Sequence, residues 1–481
     1  MIKKEPRFRQ KMANFGVLDN LAMIQNYDSF TPKSIGFFSL FEQLPTHQVE
    51  KAFFGTDLGK LYKAIPFKEL ANQVPAPPRQ RNGLGRKAWL TVEGGIALLV
   101  LKHYLGVSDH MVVHRLNRDW SMRLFCGLPL DGRMIRDLNL VSRWRVYLSR
   151  YLSIDQMQQT LASYWKPHMT ETHVGMMDAT VFESRICYPT DVKLLWESCS
   201  WVYKQSVQLC LRNRIRKPRF NFQGQQERYL AYQRRRKWSR RKEKRLRQGL
   251  VRFLGRMLER FDQLSDRVSV PLASDHDRAR LKTIRRLYYQ QREHVDHPGK
   301  KIPDRIVSLH KPHVRPIIRG KETKAVEFGA KVHLLQINGI NFIEHLSYDA
   351  FNEGTRLKQT IWLHQKYFGA CHQIAADKIY ATNENRKYCK KNDIATCFVQ
   401  KGRQGQYGDQ ASILRKELGR QRATALEGSF GNEKNHYLLD KIRARNQSTE
   451  VLWIFLGVMT CNAVQISRRM ITQPSRKRKA A

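Results

Sequence analysis

The stretch 173–182, HVGMMDATVF, is apolar except for one acid and limits the fold more than any other feature. It predicts a buried strand with Asp178 near its end. A lone carboxylate in such a run is costly to bury unless a partner or a metal holds it. Strand-like runs return only after residue 303, at 306–308, 314–318 and 332–337, and Asn338-Gly339 reads as a tight hairpin turn into a returning strand at 340–345. Between them the chain is helical. Leu246, Leu250, Leu254, Met257, Leu258, Phe261, Leu264 and Val268 repeat at three and four, an apolar stripe along one helix that Pro271 ends. A second helix over 281–292 can pair with it as a hairpin. The sheet is therefore expected to carry a long helical insertion, whose Arg-rich face suits DNA binding, subunit contact or plain solvation.

The N-terminal part reads as helices at 41–52, 56–72, 89–105, 108–120 and 137–152, broken by the basic, proline-rich segment VPAPPRQRNGLGRK at 74–87. The apolar run 94–101 stops at Lys102-His103. It is too short to cross a membrane and reads as a buried helix. The expected organisation is a mostly helical DNA-binding or dimerisation region at 1–165, an α/β domain at 166–465 with the insertion at 201–300, and a basic tail at 466–481.

Charge narrows the function. The 481 residues hold 86 Lys and Arg against 42 Asp and Glu, a formal net charge of +44. Such self-repulsion calls for a polyanion, and nucleic acid is the obvious one. Candidate phosphate contacts are Arg86, Lys87, Arg143, Arg234, Arg235, Arg236, Lys237, Arg240, Arg241, Arg443 and Arg445. The eight cysteines include no CxxC pair, which argues against a zinc finger and for reduced thiols. No signal peptide is visible, so a cytoplasmic protein is expected.

The chemistry lies in three carboxylates. A second strand-like run, QIAADKIY at 373–380, places Asp377 near its end, and a helix from Gln421 onward carries Glu427 beside an apolar face of Leu426, Phe430 and Tyr437. Carboxylates from a sheet and a crossing helix can converge. Like charges then repel, and two divalent ions about 3.5–4 Å apart would relieve that repulsion and activate a phosphodiester. Oxygen donors suit Mg²⁺ or Mn²⁺ better than zinc. Lys434, two turns beyond Glu427, could grip a phosphate or be a plain surface lysine. Glu433 faces elsewhere and is not chosen. Glu183 and Asp191 are read as supporting groups or loop caps, and Asp349 as the cap of the helix after the hairpin.

The blocks MMDATVFESRICYPTD, IAADKIYATNENRKYC and ALEGSFGNEKNHYLLDKIRAR resemble the DDE transposases of bacterial insertion sequences, in particular the IS4/IS5 and IS1182-like assemblage. The resemblance runs from about 40 to 465. It implies a ribonuclease-H-like mixed sheet flanked by helices, with Asp178, Asp377 and Glu427 as catalytic residues and metal ligands. It also implies two Mg²⁺ ions per site (replaceable by Mn²⁺) and cleavage and strand transfer at the terminal inverted repeats of a mobile element. The partners implied are double-stranded DNA, as element ends and target, and a second copy of the chain in a dimer or larger assembly. Some relatives carry an Arg four residues before the Glu and a Lys seven after. Lys434 matches the second; Ala423 stands at the first, with Arg422 one residue further back, so no Arg role is assigned. The alternatives are an inactive transposase-derived DNA-binding protein and an RNA-processing nuclease.

Overall fold

The computed structural model describes residues 46–77, 89–234, 239–268, 274–318, 325–399, 401 and 408–472. The chain opens with helices α1 (Thr46–Gly55), α2 (Asp57–Lys63), α3 (Phe67–Ala71), α4 (Val92–Leu105), α5 (Asp109–Leu116), α6 (Trp120–Phe125), α7 (Leu140–Tyr151) and α8 (Ile154–Trp165). Strand β1 (Val174–Ser184) follows, then helices α9 (Asp191–Arg212), α10 (Phe222–Arg234), α11 (Arg240–Ser265) and α12 (Asp275–Asp296). Strands β2 (Arg315–Ile318), β3 (Val326–Ile337) and β4 (Ile340–Ser347) lead to α13 (Leu357–Phe368), β5 (Gln373–Ala375), α14 (Asn383–Lys391) and β6 (Ala395–Thr396). Helices α15 (Gly408–Gln421) and α16 (Glu427–His436), strand β7 (Lys441–Ile442) and helix α17 (Gln447–Thr472) complete the order.

The architecture is mixed α/β, with one sheet flanked by helices. Its path is β2-β3-β1-β5-β6, with β4 also pairing β3 and β7 also pairing β1. The β1–β3 and β3–β4 pairs are antiparallel, while β5 and β7 run parallel to β1. The expected hairpin turn is present: Asn338 and Gly339 both adopt positive φ, 49° and 77°, as a two-residue turn of this type requires. Residues 306–308, expected as a strand, instead run as buried coil.

The N-terminal helices do not form a core of their own. Residues from Phe53 to Met169 share one hydrophobic cluster with Phe182, Leu334, Phe342 and most of α17. Helix α4 is buried nearly all round, as expected for the run 94–101. At Gly95 a Cβ would stand 2.2 Å from the Trp144 ring, so only glycine lets α7 close onto α4. Helix α17 is long and apolar enough to cross a membrane, yet most of it is buried inside this cluster. It continues to Thr472, so the basic tail begins later than expected.

The insertion is a second body with a separate core. The stripe on α11, including Leu250, Leu254, Met257 and Phe261, packs against Val192, Leu195, Cys199 and Val202 of α9 and Ile284 and Leu287 of α12. The stripe is thus satisfied within the insertion, which starts at α9 rather than at 201 and holds four helices rather than a hairpin. Helix α11 ends at Ser265, and Pro271 lies outside the described residues. Asp191, expected as a supporting group or cap, ties the body together: it accepts from Arg305 at 2.6 Å, Gln291 at 2.8 Å and Arg247 at 3.2 Å.

One buried carboxylate joins α17 to the sheet. Glu450 is fully buried and meets Lys311 Nζ at 2.5 Å, His313 Nε2 and Tyr348 Oη at 2.8 Å each, and Ser184 Oγ at 3.0 Å. Burial pushes its pKa up, but the His313, Lys311 and Tyr348 interactions together hold it below the usual glutamate value. Glu450→Ala leaves Lys311 buried without its counter-charge, so urea unfolding at pH 7 is expected to show a loss of about 3–5 kcal/mol. The stabilisation exists above the unfolded glutamate pKa and fades as pH falls through the folded value. The gap to wild type should therefore shrink in acid; a gap that is constant or grows there would contradict this.

Candidate active site

Two short parallel ladders frame the site. Strand β1 pairs with β5 over Val174–Gln373, Gly175–Ile374 and Met176–Ala375, and with β7 at Glu183 and Ser184. Between those ladders, residues 177–182 have no partner strand on that edge among the described residues. Asp178 and Asp377 each stand two residues beyond the last β1–β5 pair. Because parallel strands advance in step, both aspartates stand at the same level, Asp178 within β1 opposite Leu334 of β3 and Asp377 just past the end of β5.

Asp377 is exposed, and β5 is shorter than the expected strand over 373–380. The reason is local: the Asp377 carboxylate accepts the Lys378 N–H at 2.7 Å and caps a 3₁₀ turn, Lys378–Tyr380. The turn is anchored from both sides. Tyr380 Oη meets His333 Nε2 at 2.8 Å, and Asn385 Nδ2 donates to Tyr380 O at 2.8 Å and to Gly354 O at 2.7 Å. This second bond fixes a neighbouring 3₁₀ turn, Glu353–Arg356, whose Glu353 pairs with Lys331 Nζ at 2.7 Å. The cap of that turn is Asn352, whose Oδ1 accepts the Gly354 N–H; Asp349, expected in such a role, is exposed and lies 3.8 Å from Arg315.

The Asp178 side chain is 19% exposed. Its Oδ1 accepts the Ala179 N–H at 2.8 Å and its Oδ2 accepts from Arg422 Nη1 at 3.0 Å. Burial raises its pKa, the Ala179 N–H and Arg422 oppose the rise, and the charges of Glu353 and Asp377 add to it. The net result lies above the usual aspartate value, the signature of like charges gathered out of water. Two carboxylates at one level suit a hard divalent cation.

Arg422, to which the sequence reading assigned no role, is the residue that holds Asp178. It opens a π-turn, Arg422–Leu426, inserted between α15 and α16. In a π-turn, residues five apart lie one above the other, as residues four apart nearly do in an α-helix. The extra residue between Arg422 and Glu427 is thus absorbed, and both fall on one side. Helical periodicity in the sequence gives no sign of such a turn.

Glu427 starts α16 and is exposed. Lys434 lies 5.9 Å from the Phe182 ring centre, and Phe182 shares a face of β1 with Asp178 and Thr180. Arg422 and Lys434 thus bracket Glu427 in the sequence and both reach β1. Among the described residues no group of three or more His, Cys, Asp or Glu side chains is gathered closely enough to hold a metal ion. Strand register places Asp178 and Asp377 at one level, and the charge of Asp377 reaches Asp178, whereas Glu427 lies on the separate helix α16.

The basic residues divide sharply. Arg143 is exposed and paired with Asp137; Arg234, Arg240, Arg241, Arg443 and Arg445 are exposed. Arg86, Lys87, Arg235, Arg236 and Lys237 lie outside the described residues. Arg145, on the helix read as Arg-rich, is buried, bonds Asp109 at 2.9 Å and sits 4.6 Å over Trp453, so it serves packing. Glu183 pairs with Lys441.

Glu433 is buried in the inner stripe of Leu426, Phe430 and Tyr437, where its acidity was the sequence signal. Its Oε1 accepts from Asn341 Nδ2 at 2.6 Å, and its Oε2 has no hydrogen-bond partner among the described residues. Burial, against the Asn341 hydrogen bond and the Lys434 charge, pushes its pKa up to about 7. The folded protein therefore holds this proton more tightly than the unfolded chain. Stability is full below the unfolded glutamate value and falls by about 1.4 kcal/mol per pH unit until pH passes 7. Glu433→Gln should remove that slope. Urea unfolding of both proteins at pH 5 and pH 8 checks it; parallel losses in the two would refute the assignment.

Residues 47–146, from α1 into α7, match the family model described as Transposase domain (DUF772). No curated protein and no solved structure matches the chain. The likeness is of the N-terminal helices, residues 47–146, to a transposase domain, and Asp178, Asp377 and Glu427 lie outside the matched residues.

Proposed function

We propose that the chain is a DDE transposase that binds the terminal inverted repeats of an insertion sequence and catalyses DNA cleavage and strand transfer with divalent metal. The observation that carries this reading is the position of Asp178 and Asp377, each two residues past the Met176–Ala375 pair. The strand order, with β3 antiparallel and β5 parallel to a central β1, supports a ribonuclease-H-like core. The transposase-domain match supports the DNA substrate.

Asp178 and Asp377, with Glu427 as third donor, would hold Mg²⁺ or Mn²⁺, which supplies activation of the attacking water or 3′-hydroxyl and charge compensation at the leaving oxygen. The protein's own part is positioning. The capped turn after β5 fixes Asp377, β1 fixes Asp178, and α16 carries Glu427 and Lys434 across the same face of β1. Lys434 meets a phosphate beside the scissile bond. Exposed Arg143, Arg234, Arg240, Arg241, Arg443 and Arg445 neutralise phosphates farther along the duplex, a contribution that weakens steeply with salt. Joining two element ends calls for a second copy of the chain on the DNA, at the nucleoid of a prokaryotic cytoplasm.

The test is a comparison of wild type with Asp377→Asn on labelled element ends. Asp377 is exposed, so the variant should melt like wild type and keep most DNA affinity. Mg²⁺-dependent cleavage and joining should fall by several orders of magnitude, about what losing metal activation costs. Affinity of both proteins should drop about a thousandfold or more between roughly 50 and 200 mM salt if six or more phosphates are contacted. Near wild-type cleavage by the variant would remove Asp377 from the site. End binding without cleavage by wild type in Mg²⁺ or Mn²⁺ would instead favour a DNA-binding protein that has lost its chemistry.

A further inference from the structure

Both oxygens of Asp178 are already engaged. Oδ1 takes the Ala179 N–H at 2.8 Å, a group fixed within β1, and Oδ2 takes Arg422 Nη1 at 3.0 Å. The two side chains of this ion pair are only 19% and 16% exposed. A carboxylate so far removed from water needs a counter-charge, and Arg422 provides it. A divalent cation arriving at Asp178 finds a second lone pair on each oxygen, but must sit beside a group already bound there. The backbone N–H belongs to a paired strand and cannot leave; the guanidinium sits at the end of a long side chain and can. A guanidinium and a dication on the same oxygen would also repel each other.

We propose that Arg422 is a latch on the metal site: it neutralises Asp178 in the metal-free protein and must be displaced before a divalent cation can bind there. The inference rests on the metal-dependent reading above and adds a competitor to it. The π-turn gives the latch its reach. It carries Arg422 and Glu427 on one side of the helix, so the element that holds Asp178 closed also carries the third donor. Displacing Arg422 frees Asp178 for the cation, while buried Leu426 keeps the π-turn packed in the main hydrophobic cluster. Linkage makes the effect reciprocal: the tighter the latch, the weaker the apparent metal affinity.

The experiment is titration of the full chain, without DNA, with Mn²⁺, reading free Mn²⁺ by electron paramagnetic resonance. The proteins are wild type, Arg422→Gln, Arg422→Lys and Asp178→Asn. A latch closed about nine times in ten lowers apparent affinity about tenfold, so Arg422→Gln should bind Mn²⁺ about tenfold more tightly than wild type. Arg422→Lys, which keeps the charge without the planar fork, should fall between them, and Asp178→Asn should lose the site. Circular dichroism checks folding; if Arg422→Gln unfolds, the lysine variant carries the comparison. Wild-type binding that needs Asp178 but is unchanged or weakened in the Arg422 variants overturns the latch and leaves the metal site standing. Absence of Asp178-dependent Mn²⁺ binding in all the proteins overturns both.

Discussion

The active region depends on one constraint, the unpaired edge of β1 between its ladders to β5 and β7. Strand β1 is committed to β3 along nearly its whole length on one side. On the other it has partners only at its two ends. A sheet edge inside a protein leaves polar backbone that needs covering, and it also leaves room for side chains that a full sheet would exclude. Asp178 and Asp377 occupy that opening. Their position follows from strand register, so it is as rigid as the sheet. The turn after β5 is locked in turn by Tyr380, His333 and Asn385, which makes Asp377 fixed despite its exposure.

A chain with a formal net charge of +44 must spend some cations on its own architecture. Lys311 answers buried Glu450, Arg145 and Lys102 share Asp109, and Arg123 binds Asp131 together with the Pro129 and Arg133 carbonyls. These positions are packed and hydrogen-bonded, and counting them as DNA contacts would overstate the binding surface. Cations facing water include those on α7, at the ends of α10 and α11 and in the segment after β7, and others such as Arg216, Lys217, Lys390 and Lys391, spread along the chain. Arg422 belongs to neither group: it is largely shielded from water, and its partner is Asp178 at the end of the β1–β5 ladder.

Features set by local periodicity were legible in the sequence. The apolar run at 173–182 located β1 and Asp178, Asn338-Gly339 located the β3–β4 turn, and the stripe from Leu246 located α11. Features set by tertiary contact were not. The partner of the α11 stripe is α9, which begins at Asp191, before the composition turns strongly basic. Helix α8 was missed because its inner face, with Met157, Leu161 and Trp165, is interrupted by polar residues such as Gln158, which bonds the Ile343 backbone. Strand β5 stops early because the Asp377 side chain captures the next N–H. Arg422 looked one residue out of place because a spacing rule drawn from α-helices cannot register a π-turn. Strand register places Asp178 and Asp377 at one level, a relation that no sequence motif reveals, and Glu427 lies on the separate helix α16.

The central claim is that Asp178 and Asp377 form one metal-binding unit that Glu427 completes. Crystals of the protein on element-end DNA, grown with Mn²⁺ and measured at the manganese absorption edge, test it most directly. The account predicts an anomalous peak bridging the Asp178 and Asp377 carboxylates, with Glu427 turned toward the metal and Arg422 no longer on Asp178. Manganese bound elsewhere in an otherwise ordered complex, with Arg422 still on Asp178, would contradict it.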